Sequence, residues 1–107
     1  MPKYLMSAKY TPEATAKVRE VGYASRVEAT KAMAAAVGGT CESLWFTTGD
    51  WSIHGVFDFP SETATFVVDS VGWATGAFER VIAQPLFTAA EADAAIAAKV
   101  DYTPPGS

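Results

Sequence analysis

Two runs of residues, TCESLWFT at 40–47 and WSIHGVFDF at 51–59, flank a Gly49-Asp50 turn. This pair constrains the fold more than any other feature. Both runs carry the β-branched and aromatic residues of strands. The connection is too short for a parallel crossover, so the pair is an antiparallel hairpin. Strand side chains alternate between faces. Leu44, Trp45 and Phe46, with Ile53, Val56, Phe57 and Phe59, therefore place apolar groups on both sides of the hairpin. A sheet that is apolar on both faces has to be covered twice. One cover is a layer of helices. The other is the last helix and tail, or a second copy of the sheet, and the second copy is the more economical.

The flanking segments supply the helices and the remaining strands. KYLMSAKY at 3–10 alternates as a strand, with Tyr4, Met6, Ala8 and Tyr10 on one face. Thr11-Pro12-Glu13 reads as a helix start: an N-cap, a proline at the first helical position and an acid in the first turn. Gly22 interrupts the helical segment and divides it into helices over 12–21 and 26–37. Ser25 and Glu28 have the spacing of a capping box at the start of the second helix, and Gly38-Gly39 stops it. Pro60 ends the third strand. Ser61 caps a helix over 62–75 whose apolar stripe is Phe66, Val67, Val71 and Ala74. Residues 77–84 read as a fourth strand ending near Pro85. Thr88 and Glu91 open a last helix reaching about Val100. The order β-α-β-β-α-β-α predicts an α+β fold. It is a ferredoxin-like βαββαβ unit with a four-stranded antiparallel sheet, plus a C-terminal helix. One domain spans 1–100, and 101–107 forms an extended proline-rich tail.

Composition narrows the function. Half of the 107 residues are hydrophobic, 19% are charged and the net charge is −4. The eight lysines and arginines are scattered, so nucleic acid is not an expected partner. The opening residues contain no long apolar run, so no membrane span is expected and the expected location is cytoplasmic. Cys41 is the only cysteine, which excludes an internal disulfide and a cysteine-rich zinc site. Nothing in the chain has the spacing of a metal site, a phosphate loop or a nucleophile elbow. No metal and no cofactor are expected.

Several short stretches carry a family likeness in a shared order. They are KYLMSAKYTPE at the start, Arg26 and Glu28, VGG at 37–39, LWFTTGDW in the hairpin, PLFTAAE at 85–91 and YTPPGS at the end. On these the chain resembles the GYD domain proteins, small bacterial proteins similar to the dimeric α/β-barrel group. The likeness covers nearly the whole chain. The family name denotes Gly-Tyr-Asp, whereas here Gly49-Asp50 is followed by Trp51. Ser52, His54 and Gly55 depart from the aliphatic strand usual in such proteins. The resemblance implies a dimeric α/β barrel, hence a homodimer or higher homo-oligomer, and no catalytic residues to carry over.

His54, the only histidine, is the candidate acid–base, because imidazole changes charge near neutral pH. With Trp51, Ile53, Gly55 and Phe57 turned to the helices, alternation sends His54 to the opposite face, into the space between two sheets. Haem-binding relatives of the barrel group use an axial histidine, which makes haem the one prosthetic group to consider. Trp45, Trp51 and Tyr10 are candidate walls for a small aromatic ligand. Arg26, at the break between helices, is the candidate group for a carboxylate. Cys41 reads as an inert thiol. Two functions emerge. One is a binding module of unassigned activity with a small aromatic ligand in the barrel lumen. The other is a cofactor-independent monooxygenase or isomerase acting on an aromatic or quinone-like substrate.

Overall fold

Strand β1, Lys3–Tyr10, is the axis of the molecule: it pairs with β3, Ile53–Asp58, on one side and with β4, Phe78–Leu86, on the other. Strand β2, Thr40–Phe46, pairs with β3 alone, so the order across the sheet is β2-β3-β1-β4 and every pairing is antiparallel. The structure is a computed structural model and describes residues 2–106. Helices α1 (Pro12–Val21), α2 (Tyr23–Ala36) and α3 (Glu62–Ala74) join the strands, and α4 (Ala89–Ile96) follows the sheet. This is the ferredoxin-like arrangement, with both crossovers on one face of the sheet.

Local chemistry sets several boundaries as the sequence predicts. Thr11 Oγ1 accepts from the Ala14 N–H at 3.2 Å, and Pro12 opens α1. Gly22, at φ +109°, ends α1 and starts α2. Thr88 and Glu91 form the reciprocal capping box of α4. The box read at Ser25 and Glu28 does not form. The positive φ of Gly22 turns the chain so sharply that α2 begins at Tyr23, and Ser25 Oγ donates to the Gly22 carbonyl at 2.7 Å. Ser61 occupies the N-cap of α3 without capping it, because its hydroxyl bonds to Thr63 Oγ1. Strand β4 runs through Pro85 to Leu86, past the predicted end. It is an edge strand, where a residue without N–H breaks no ladder. Helix α4 ends at Ile96, short of the predicted Val100, and buries no residue.

The core lies between the sheet and the helices. Tyr4, Met6, Phe57 and Phe59 meet Ala34 of α2 and Ala64 and Val68 of α3. Phe57 and Phe59 stack at 5.3 Å between ring centroids, 9° from parallel. The two alanines let the helices come down onto these rings. Helix α3 therefore seats its small residues inward. The stripe predicted for it at Phe66, Val67, Val71 and Ala74 is not the buried one: Phe66 is 74% exposed, and Val67, Val71 and Ala74 are exposed as well.

Candidate functional site

The sheet divides the candidate residues between two sites. On the helix side, α2 lies over β2 and α3 over β4. The helices converge where Ala34 and Ala64 share the core and diverge toward Ser25 and Thr75. The wedge between them is a cavity of about 520 Å³, within the range of small-molecule sites. Met6, Met33, Leu44, Ile53, Phe57 and Val68 give it an apolar interior. Gly55 shapes its floor: a Cβ there would lie 2.6 Å from Cε2 of Phe57, so only glycine leaves room for that ring.

Tyr10 and Arg26 line this cavity. Tyr10 is buried and stacked on Phe78 at 5.3 Å, so it serves as wall and core together. Arg26, in the first turns of α2, is half-buried, and its shielded Nε has no hydrogen-bond partner among the described residues. Glu28, its near neighbour on the helix, pairs with Lys31 at 3.8 Å. The other polar residues around the cavity include Lys17, Ser25, Thr30 and Thr75, and among the described residues no carboxylate or imidazole lines it.

His54, Trp45 and Trp51 lie on the other face of the sheet. The register sets His54 beside Ser7 of β1 and Trp45 of β2. Ser7 Oγ and His54 Nδ1 are 2.7 Å apart, and Ser7 is 3% exposed. Trp51 does not pack under the helices as expected. The connection 47–52 folds across the sheet end instead, because Lys9 Nζ donates to the Gly49 carbonyl and Arg80 donates to the Asp50 carbonyl. The Arg80 guanidinium then sits over the Trp51 ring at 4.7 Å, and that ring lies 6.2 Å from His54. Trp45 stands largely in solvent. Among the described residues no helix packs on this face, on which Leu5, Val56 and Ile82 flank the Ser7–His54 pair. At its far end Lys3 bridges Glu42 and Asp58.

A family model described as the GYD domain matches residues 4–96. The chain belongs to the GYD domain family. No curated protein matches it. In this GYD domain, burial pushes the Cys41 thiol above its ordinary value, and the group bonds weakly to the Ser43 carbonyl, as an inert cysteine does. Among the described residues no three His, Cys, Asp or Glu side chains cluster as metal ligands, and no helix is long and apolar enough to cross a membrane.

Sequence reasoning singles out neither Ser7 nor Arg80. Ser7 is visible as a polar residue on the outward face of β1, but its pairing with His54 joins positions 47 residues apart. Only the strand register makes that pair.

Proposed function

We propose that this GYD domain is a non-catalytic module that binds a small apolar or aromatic molecule beneath its helices, and that it works as a homodimer paired through the bare sheet faces. The cavity carries this reading. It has a ligand's volume and apolar walls, and its lining lacks the imidazole or carboxylate of a general acid–base pair. Pairing is supported by the apolar sheet face that the chain leaves open, since contiguous apolar surface of this kind marks an interface. It is supported again by the C-terminal arm. Phe87, Ile96, Val100 and Tyr102 are all exposed, and the molecule has a radius of gyration of 16.7 Å, against about 13 Å for a compact chain of about 100 residues. A two-fold partner would bring the same face to the same face and enclose an α/β barrel.

The Ser7–His54 hydrogen bond favours a second reading. A substrate held between two such faces would meet His54 as an acid–base, with Trp45 and Trp51 as walls. That is the site of a cofactor-independent monooxygenase or isomerase for an aromatic or quinone-like molecule.

Sedimentation velocity at micromolar concentration tests the pairing. The wild type is expected to sediment as a dimer and Ile82→Glu as a monomer, and a monomeric wild type would refute the pairing. Titration with the neutral fluorophore phenylnaphthylamine, with native mass spectrometry, tests the cavity. One probe per protomer is expected, and no binding would refute it. His54→Ala separates the two readings: it leaves probe binding unchanged in the first and abolishes turnover in the second.

A further inference from the structure

Ser7 is a buried hydroxyl on the open face of the sheet. Among the described residues its one side-chain hydrogen bond is the 2.7 Å contact with His54 Nδ1. That contact can form in two ways. If Nδ1 carries the imidazole proton, it donates to Ser7 Oγ, and the serine's own proton is left buried with no acceptor among the described residues. If Ser7 donates to Nδ1, one bond satisfies the hydroxyl and the ring together. A buried donor without an acceptor is costly, which favours the second arrangement by about 10- to 100-fold. In a neutral imidazole one nitrogen donates and the other accepts, so the proton then sits on Nε2. The open side of the ring is that of Nε2. Nε2 has no partner among the described residues, and Arg26 Nε is the one unpartnered side-chain atom among them that is shielded from solvent, so Nε2 reaches the surface.

We infer that Ser7 fixes His54 as the Nε2–H tautomer, and that the open face therefore offers a hydrogen-bond donor to the carbonyl oxygen of an aromatic ketone or quinone. The inference rests on the second reading above and adds the ligand's polar group: His54 meets it as a donor rather than as a base, and Ser7 is a positioning residue. The aromatic walls are in place. Trp45 is the cross-strand neighbour of His54, and the Trp51 ring lies 6.2 Å from the imidazole. The nearby cations are occupied, since Lys9 and Arg80 donate to the carbonyls of Gly49 and Asp50. One neutral donor among rings suits a neutral acceptor. A carboxylate would lose its hydration for a single uncharged partner.

His54 is the only histidine, so one imidazole reports its tautomer without assignment. Long-range proton–nitrogen correlation spectra, recorded above the imidazole titration range, should show Nε2 protonated and Nδ1 bare. Ser7→Thr, which keeps the hydroxyl, should keep that pattern, and Ser7→Ala should mix the tautomers. A wild type protonated at Nδ1 would overturn the inference, and so would a tautomer as pure in Ser7→Ala as in the wild type. The ligand class is tested with fluorenone, fluorene and fluorene carboxylate. Fluorenone should bind about 2- to 10-fold tighter than fluorene, the range of one neutral hydrogen bond. Its carbonyl stretch should fall on binding. His54→Ala should erase the preference and return the stretch to its value in apolar solvent. Equal binding of fluorenone and fluorene, a preference that survives His54→Ala, or tighter binding of the carboxylate would overturn the ketone assignment and leave the second reading standing. A wild type that binds none of the three would overturn that reading's substrate site, and this inference with it.

Discussion

Replacing Gly55 by alanine should destabilise the domain through clashes with Phe57 and Leu44. The added Cβ would lie 2.6 Å from Cε2 and 3.0 Å from Cζ of Phe57, and 2.9 Å from Cδ1 of Leu44. Carbon atoms pack best at about 3.5–4.0 Å, so the Phe57 ring has to retreat by about 1 Å. The ring lines the cavity, but it is 2% exposed and stacks on the fully buried Phe59, so a shift breaks that packing. Overpacking of this kind costs about 1–3 kcal/mol. Against it stands the gain of about 0.5–1 kcal/mol from replacing glycine within a strand. The net expectation is a loss of about 1–2 kcal/mol, at about 4–8 °C of Tm per kcal/mol in a domain near 100 residues. Urea denaturation at equilibrium, paired with calorimetry, measures it. Phe57→Leu completes a double-mutant cycle, because it removes the ring that the methyl group strikes. In that background Gly55→Ala should cost clearly less, since only the contact with Leu44 remains. A Gly55→Ala protein as stable as the wild type would refute the argument, and so would an equal cost in both backgrounds.

Three further outcomes are expected from other parts of the structure. His54→Ala leaves the buried Ser7 hydroxyl without its partner and should cost about 1–3 kcal/mol in denaturant titration, and unchanged stability would show that the 2.7 Å bond contributes nothing. Hydrogen bonding to the backbone and hydroxyl of Thr88 holds the Glu91 carboxyl below its ordinary value, so the capping box contributes fully above the unfolded carboxylate range and is lost as pH falls through the lowered folded value. Amide exchange in α4 should therefore accelerate in acid while β1 stays protected, and Glu91→Gln should flatten that dependence. Deleting residues 101–107 should leave the melting transition of the domain in place and weaken its self-association on dilution, since the described part of the tail is exposed and lies in neither helix nor strand, and a deletion that unfolds the domain would contradict this.

The features legible in the sequence are those decided within a few residues. Thr11-Pro12 and Thr88 with Glu91 start helices because the capping oxygen and the free N–H belong to one turn of chain. Alternation in KYLMSAKY gives the buried face of β1 directly, since the period of a strand does not depend on its neighbours. It also sends His54 to the face opposite Gly55. Where a local signal has a competitor, tertiary structure chooses. Ser25 and Glu28 have the spacing of a capping box, but a positive φ at Gly22 has already begun the helix. The bulkiest residues of α3 suggest its inner face, yet convergence with α2 over Phe59 admits only Ala64 and Val68. Trp51 belongs by alternation beneath the helices, and the bonds from Lys9 and Arg80 to its loop carry it to the other side. The four proposed ligand contacts read as one set along the chain. The sheet separates Tyr10 and Arg26 from Trp45 and Trp51, because which side of a strand becomes a cavity depends on where two helices diverge, and that is settled by packing between residues far apart in sequence.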